Sequence, residues 1–268
     1  MTDLAVIMSV YLNDRLEFVK ESVNSILGQS FTAFHFYIVF DGPLKQDVDT
    51  FLSSLTDDRI RIFRLEENGG LARALNYLLG IVLSEQNYKL IARMDADDIS
   101  GSERFERQCR FMKDNPGIGC LGSWYEEIDT TGNHLHFRKM PVRHEELRRR
   151  YFTRTPFAHP TVMYRKSLIE KAGLYPTDTI LMEDNVLWGR ALKAGIKFAK
   201  IPEYLFKFRI DENFYDRRSG IKYGWNFIKI RFGILNEMNA PFNSYILSFF
   251  VGFVKMMPSL ILRIFHMF

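Results

Sequence analysis

Apolar, strand-like runs alternate with helical segments along the first 113 residues, and this alternation limits the folds open to the chain more than any other feature. Residues 4–10, 34–40 and 88–94 are rich in apolar and aromatic side chains, which is typical of strands buried in a sheet. The segments that follow them carry apolar residues at helical spacing. This alternation predicts right-handed crossovers and therefore an α/β fold, with a doubly wound, mostly parallel sheet flanked by helices.

Polar side chains follow three of the predicted strands. Residues 9–11, Asp41 and the acidic segment 95–98 each stand at the carboxyl end of a strand-like run. In sheets of this kind, ligands bind outside the carboxyl ends of the strands. We therefore expect these side chains to meet at one edge of the sheet and to form one site.

The acidic segment holds three carboxylates within four residues, Asp95, Asp97 and Asp98. Like charges this close repel one another, and a bound divalent cation removes that cost. Carboxylate oxygens favour Mg²⁺ or Mn²⁺, which protein carboxylates hold together with substrate phosphates. The alternative is a solvated acidic turn before the next helix, but the position at a strand end, near other polar groups, favours a metal site.

Two phosphate-binding motifs are absent from the sequence. There is no GxxxxGK[ST] segment, which argues against ATP or GTP hydrolysis on a P-loop. There is also no GxGxxG segment after the first predicted strand, which argues against a dinucleotide cofactor. A site for a metal and a diphosphate without either loop indicates a nucleotide-sugar or a related activated donor.

Five sequence blocks carry a resemblance to a known family. They are VIMSVY (6–11), VFDG (39–42), NGGLARALN (68–76), ARMDADD (92–98) and MEDNVLW (182–188). In their order and spacing, the chain resembles the family 2 inverting glycosyltransferases, and more narrowly the bacterial branch that builds O-antigen, capsule and exopolysaccharide repeat units. The resemblance covers residues 4–210. It implies a GT-A catalytic domain over residues 1–215, with a nucleotide-binding half (1–100) and an acceptor-binding half (101–215).

The resemblance implies roles for particular side chains on the donor side. The expected nucleotide-binding residues are Ser9, Tyr11, Asp41, Arg73, Asp95 and Asp97. Tyr11 would flank the uracil, Asp41 would accept a hydrogen bond from the uracil N3–H, and Arg73 would lie near the phosphates. Asp95 and Asp97 would form the DxD motif at a Mn²⁺ or Mg²⁺ ion. Which of Asp95, Asp97 and Asp98 is the direct ligand stays open.

On the acceptor side, the resemblance implies that Asp184 is the catalytic base and that Glu183 orients it or a substrate hydroxyl. A hydroxyl attacks an anomeric carbon only when a positioned base removes its proton, and direct displacement then converts an α-linked donor into a β-linked product. The alternative for this pair is a set of carboxylates favoured at a helix N-terminus. His159 and Trp188 are the expected acceptor-binding residues.

The C-terminal segment, residues 216–268, differs from the body in charge and pattern. From residue 217 onward it holds seven basic residues and one acidic residue, Glu237, in a chain whose net charge is +4. Ile221, Trp225 and later apolar residues recur at helical spacing. The small or polar residues after them form one stripe, which comprises Ser244, Ser248, Gly252, Lys255, Ser259, Arg263 and His266. Because Lys255, Pro258 and Arg263 interrupt a membrane span, the pattern predicts an amphipathic helical extension on an anionic membrane surface. Packing on the body or in a homodimer is the alternative.

These expectations describe a metal-dependent inverting glycosyltransferase that moves a hexose from a UDP-sugar to an undecaprenyl-diphosphate-linked glycan at the cytoplasmic face of the bacterial inner membrane. Galactose or glucose is favoured and N-acetylglucosamine is the alternative, and no nucleic-acid partner is expected. A sugar nucleotidyltransferase is a second interpretation, but residues 9–15 lack its glycine-rich, basic loop. The third is a non-catalytic nucleotide-sugar binder that assists another transferase, which the presence of both acidic motifs disfavours.

Overall fold

The computed structural model describes residues 3–260 and residue 262, and these fold into a sheet with helices on both faces. The strands are β1 (Leu4–Tyr11), β2 (Phe34–Asp41), β3 (Ile60–Arg64), β4 (Leu90–Asp95), β5 (Ile99–Ser100), β6 (Ile118–Ile128), β7 (His134–Arg138), β8 (Met163–Arg165) and β9 (Lys197–Arg209). The helices are α1 (Leu16–Leu27), α2 (Gln46–Ser53), α3 (Leu71–Ser84), α4 (Arg104–Asp114), α5 (His144–Tyr151), α6 (Lys166–Ala172), α7 (Glu183–Lys193), α8 (Ile221–Glu237) and α9 (Phe242–Met256).

The strand order is β3-β2-β1-β4-β8-β6-β9-β5, with β7 paired to β6. The four strands of the first half pair in parallel, as the alternation with helices predicts. The second half is mixed: β8 runs antiparallel to β4 and β6, whereas β6 and β9 are parallel to each other. The predicted α/β fold with a mostly parallel sheet flanked by helices is confirmed, and antiparallel β8 joins its two halves.

The core lies on both faces of the sheet, which explains why β1 is apolar at every core position. Ala5 and Ile7 point to the face covered by α3 and α7, where Leu75 and Leu187 are also buried. The alternate residues of β1, such as Val6, point to the opposite face with side chains of α1, α2 and α4. Since neither face of β1 meets water, its sequence is a continuous apolar run.

Helices α8 and α9 form a hairpin whose polar stripe faces inward, opposite to the predicted orientation. Ser244 and Ser248 of α9 are buried, and the Lys255 ammonium lies over the rings of Tyr223 and Phe227 in α8. We expected Lys255 to reach anionic headgroups, and that expectation is wrong for this residue. Arg263 and His266 lie outside the described residues.

Glycines explain this orientation, because they let the two helices approach closely. A Cβ added to Gly252 would lie 2.2 Å from Cγ1 of Ile228, and one added to Gly224 would lie 2.6 Å from the carbonyl oxygen of Gly252. The face of α9 that carries the small residues therefore packs closely against α8, and the large apolar side chains of α9 point outward. Among the described residues, no helix has the length and hydropathy needed to cross a bilayer.

Candidate active site

The three carboxylates of the acidic segment gather at the carboxyl end of β4. One oxygen from each of Asp95, Asp97 and Asp98 lies within 4.8 Å of the others. Ser9 of β1 stands beside them, because it pairs in register with Asp95 on one side and with Val39 of β2 on the other. Parallel pairing thus brings the ends of three strands to one edge of the sheet, as expected.

Two arginines donate hydrogen bonds to the acidic cluster. The fully buried Arg93 guanidinium donates to the Asp95 carboxylate and to the Met94 carbonyl. The backbone N–H of Arg209 donates to Oδ1 of Asp98 at 2.7 Å, and the Arg209 Nε–H donates to the Asp97 carbonyl at 2.8 Å. Neither arginine was singled out from the sequence, although Arg93 stands inside the ARMDADD block.

One buried carboxylate oxygen of the cluster is available to bind a cation. Oδ2 of Asp98 is buried and has no hydrogen-bond partner among the described residues. Burial, together with the neighbouring Asp95 charge, raises the pKa of Asp97 to about 6, and burial and both neighbours raise the pKa of Asp98 well above its usual value. A buried, unpartnered oxygen among like charges fits a divalent ion, and an all-carboxylate donor set suits Mg²⁺ or Mn²⁺.

Tyr11 ends β1 beside the acidic cluster, and Asp14 follows it in the next turn. Tyr11 is 38% exposed at the end of β1, so its ring is accessible to a ligand. Its backbone N–H donates to Oδ2 of Asp14 at 2.9 Å. Burial, with smaller contributions from Asp97 and Asp95, raises the pKa of Asp14 to about 8. Asp14 therefore extends the acidic edge, and the sequence analysis missed it because it lies beyond the apolar run.

The Asp41 carboxylate is engaged by the loop that precedes α3. Oδ1 accepts the Gly69 N–H at 2.7 Å, and Oδ2 accepts the Gly70 N–H at 2.9 Å and the Asn68 side-chain N–H at 3.1 Å. Asp41 is only 2% exposed. The carboxylate therefore clamps this loop to the end of β2, and the expected hydrogen bond from the uracil N3–H to Asp41 stays a prediction.

Gly42 makes the clamp sterically feasible. Its φ is +80°, and a Cβ added there would lie 2.5 Å from the backbone nitrogen of Asn68. Arg73 folds over the same loop, since a Cβ on Gly69 would meet its Cδ at 2.5 Å. Arg73 is exposed beside this loop, and its expected contact with phosphates stays a prediction.

The Glu183–Asp184 pair opens α7 and is largely buried. Burial, followed by the Glu183 charge, raises the pKa of Asp184 to about 7, while the Asn185 N–H, which donates to Asp184 Oδ1 at 2.7 Å, and the Arg218 charge act in the opposite direction. Burial also raises the pKa of Glu183, with Asp95 adding to the rise and Arg93 opposing it. The pair and the acidic cluster therefore lie within electrostatic range of each other.

The two expected acceptor residues have different surroundings. Nε2 of His159 is hydrogen-bonded to the Tyr175 hydroxyl at 2.9 Å, and His159 is partly exposed. Trp188 is 0% exposed, and its ring packs edge-on against Phe157 and Phe198. Stacking of Trp188 on an acceptor sugar is therefore wrong, because the residue belongs to the core.

A pair of adjacent arginines, missed as site residues, lies between β9 and α8. Arg217 is bound bidentately by Asp211, at 2.7 and 3.0 Å, and its charge opposes the rise in pKa that burial causes at Tyr11 and Asp97. The Arg218 charge acts in the same way on Asp184. The sequence shows them only as two of the seven basic residues of the C-terminal segment, whereas the structure brings their positive charge close to Asp97 and Asp184.

The arrangement combines three chemical capacities at one edge of the sheet. The carboxylates of residues 95–98 can hold a divalent ion, and an ion there can meet a diphosphate. Asp184, with a pKa near neutrality, can take up a proton. Arg217 and Arg218 supply positive charge for an anionic substrate. These are the requirements of group transfer from a diphosphate-activated donor to a hydroxyl.

Comparisons with known proteins agree with this interpretation. The model of the family "Glycosyl transferase family 2" matches residues 5–173. UDP-Gal:alpha-D-GlcNAc-diphosphoundecaprenol beta-1,3-galactosyltransferase of Escherichia coli is 30% identical over 95% of this chain and 92% of its own length. The amylovoran biosynthesis glycosyltransferase AmsE of Erwinia amylovora is 31% identical over 84% of this chain and 81% of its own.

Solved structures show the same fold. The mannosyltransferase PcManGT of Pyrobaculum calidifontis, in complex with GDP-Man and Mn²⁺, has a TM-score of 0.63 at 14% identity and covers 92% of this chain and 68% of its own. Residues 1–349 of S. aureus TarS, in complex with UDP, give a TM-score of 0.58 at 19% identity, over 88% of this chain and 70% of that one. The chain is thus a glycosyltransferase with the GT-A fold, and it belongs to glycosyl transferase family 2.

Proposed function

We propose that this enzyme is a metal-dependent, inverting hexosyltransferase that acts on a UDP-sugar and a lipid-linked saccharide in bacterial surface polysaccharide synthesis. One observation carries the proposal: the cation-competent cluster at residues 95–98 and the buried Glu183–Asp184 pair lie within electrostatic range at one sheet edge. Residues 1–215 form the catalytic domain in this proposal, and residues 216–268 attach it to the membrane.

The donor assignment is supported by the accessible Tyr11 ring and by the relatives. The E. coli relative is named for UDP-galactose, and TarS has been solved with UDP and with UDP-GlcNAc. We favour galactose or glucose as the transferred sugar, with N-acetylglucosamine as the alternative. Ser9, Tyr11 and Arg73 would contact the nucleotide in this assignment, and Asp41 would hold the adjoining loop.

Asp95, Asp97 and Asp98 would hold the Mn²⁺ or Mg²⁺ ion. When bound, such an ion neutralises negative charge on a diphosphate leaving group. Arg217 and Arg218 would add positive charge at the same edge, which lowers the electrostatic cost of binding a dianion. The buried, unpartnered Oδ2 of Asp98 is the observation that favours a metal here over an empty acidic turn.

Asp184 would act as the general base. It takes the proton from the acceptor hydroxyl while that oxygen bonds to the anomeric carbon and the bond from this carbon to UDP breaks. The configuration at the anomeric carbon inverts, so an α-linked donor gives a β-linked product. A pKa of about 7 leaves a large fraction of Asp184 ionised at neutral pH and still basic enough to accept a proton.

A donor screen tests this function. Full-length protein is incubated with UDP-galactose, UDP-glucose and UDP-N-acetylglucosamine, with Mn²⁺ or EDTA, and with or without a synthetic lipid-diphosphate monosaccharide. We expect UDP release that requires the metal and increases with acceptor, and a product whose new linkage is β by NMR. Release of UDP without any glycoside product, or an α-linked product, would contradict the proposal.

The α8–α9 hairpin supports attachment to the inner membrane. Lys222, Trp225 and Lys229 recur at helical spacing on the exposed face of α8, and Trp225 is 62% exposed. The outward face of α9 presents exposed apolar side chains: Phe242, Ile246, Phe249, Phe250 and Phe253. An apolar surface flanked by lysines matches an anionic lipid surface, where the rings enter the acyl boundary and the ammonium groups meet headgroups.

Co-sedimentation with vesicles tests the attachment. We expect full-length protein to bind phosphatidylglycerol vesicles and to bind phosphatidylcholine vesicles at least tenfold more weakly. The Phe249→Glu/Phe250→Glu double variant should lose binding, whereas Phe137→Glu, at another exposed phenylalanine, should retain it. If the double variant instead converts a dimer into a monomer in light scattering, the face binds a second copy and the membrane assignment is wrong.

A further inference from the structure

Arg231 of α8 is a buried cation that is linked by hydrogen bonds to the first turn of α7, next to Asp184. It is 1% exposed, and within the described part of the chain no carboxylate forms an ion pair with it. Its Nη2–H donates to the Tyr151 carbonyl at 2.7 Å, and Nη1 lies 3.4 Å from Oδ1 of Asn185. The guanidinium also lies over the Tyr151 ring, 5.2 Å from its centroid.

The contacts continue to the Asp184 carboxylate. The Tyr151 hydroxyl donates to the Asn185 carbonyl at 2.7 Å, and the Asn185 N–H donates to Asp184 Oδ1 at 2.7 Å. Asn185 is therefore held on its side chain by Arg231 and on its carbonyl by Tyr151. The first turn of α7 is positioned from two neighbouring helices.

Close packing leaves this turn little freedom. A Cβ added to Gly189 of α7 would lie 2.4 Å from the Tyr151 hydroxyl and 3.3 Å from Cγ2 of Ile234 in α8. Burial of a cation without an opposite charge is costly, and burial lowers the pKa of Arg231. An apolar side chain of similar volume would avoid this cost. We therefore look for the role of the charge in the groups to which Arg231 donates hydrogen bonds.

We propose that Arg231 is a positioning residue that fixes the first turn of α7, and with it the Asp184 carboxylate, from the helix that carries the membrane-facing surface. The inference rests on the proposed role of Asp184 as base. It also assigns α8 two functions. One face of the helix presents Lys222, Trp225 and Lys229, while the opposite face holds the base through Arg231.

The test compares Arg231→Met and Arg231→Lys with wild-type full-length enzyme. We expect Arg231→Met to lower kcat at least tenfold with the KM for the UDP-sugar within twofold, and Arg231→Lys to recover part of the loss because an ammonium can still donate to the Tyr151 carbonyl. Loosening of the Asn185 N–H bond should also move the acid limb of the kcat profile to higher pH. Groups facing Asp184 that also shape this limb are Glu183, Trp188, Tyr151, Tyr175, Arg218 and Tyr223.

A surface ion pair between the same two helices supplies the control. Lys193 of α7 and Glu237 of α8 are 3.4 Å apart and exposed. Lys193→Met and Glu237→Gln should leave kcat and the pH limb within twofold of wild type. If Arg231→Met fails to fold, Tyr151→Phe removes one of the two supports of Asn185, and it should lower kcat about threefold and move the limb in the same direction.

The outcomes separate this inference from the proposed function. If Asp184→Asn is inactive but a folded Arg231→Met enzyme keeps the wild-type kcat and acid limb, the inference is wrong and the proposed function stands. If Arg231→Met does not fold, the same result in Tyr151→Phe has the same meaning. An active Asp184→Asn enzyme would overturn both. A shift of the limb in the Arg231 or Tyr151 variants, with none in the surface controls, supports the positioning role, because a loss of stability alone does not move that limb.

Discussion

The two acidic groups of the site are both partly buried, yet their surroundings differ in kind. The cluster at residues 95–98 follows a strand, holds three like charges and leaves Asp98 Oδ2 unpartnered. The Glu183–Asp184 pair opens a helix, where the N-terminal dipole and the Asn185 N–H favour negative charge, and Arg218 adds to this. In the proposed function, the first group holds a cation when it is ionised, whereas the second gains and loses one proton near neutral pH. Buried carboxylates would then serve two different chemistries, and the groups around them would determine which.

The largest expected effect comes from removing the proposed base, Asp184. Asp184→Asn keeps the shape of the side chain but cannot accept a proton, so kcat should fall by ~10³-fold. Isothermal titration should show UDP affinity in Mn²⁺ within twofold of wild type. A variant with wild-type turnover would break the comparison, because the pair would then have no role in proton transfer.

Metal removal should affect the other group. EDTA should lower UDP affinity by about 100-fold, since a bound divalent ion contributes several kcal/mol to charge stabilisation, and Mn²⁺ or Mg²⁺ should restore it. In Asp97→Ala the affinity should be low with or without metal. Equal UDP affinity in EDTA and Mn²⁺ would show that the cluster does not link a cation to the nucleotide.

The pH dependence should separate the two groups further. As the proposed base, Asp184 would act only when ionised, so at saturating Mn²⁺ and substrates kcat should fall tenfold per pH unit below an apparent pKa of about 7. Since a bound cation favours the ionised cluster, the titration of Asp97 near pH 6 should vanish from this profile and appear only in the metal affinity. An acid limb that moves with metal concentration would assign it to the cluster instead.

The smallest expected effect is on stability. The folded-state pKa of Asp97 is raised from 3.8 to about 6, so its burial destabilises the fold progressively as pH rises between these values. In EDTA at pH 7.5, Asp97→Asn should therefore melt a few degrees higher than wild type. Mn²⁺ should raise the Tm of wild type by about 5 °C at saturation and that of the variant by less, as measured by differential scanning fluorimetry.

The sheet and the convergence of its strand ends could be predicted, because strands buried on both faces leave an unmistakable apolar pattern. The position of Asp95 beside Ser9 follows from parallel register alone. The orientation of α9 could not be predicted, since helical spacing identifies a stripe but not the side on which the partner lies. Close contact at Gly224 and Gly252 turned the small residues inward.

Side-chain partners across long sequence separations were equally hidden. Trp188 stands in the same sequence block as the proposed base Asp184, but its ring is in the core because α7 turns this face toward the sheet. Asp41 accepts a hydrogen bond from the Gly69 N–H, 28 residues away, and nothing in the local sequence pattern indicates that pairing. Arg231 was indistinguishable from the other basic residues of the tail. Membership of a motif therefore did not reveal how each of its side chains is packed.

The bonds from Asp41 to Asn68, Gly69 and Gly70 have a consequence for donor exchange. A loop that its own protein already holds in place loses little conformational entropy when a ligand arrives. In the proposed function, nucleotide binding therefore need not order this loop, and UDP that departs leaves the loop in position for the next donor.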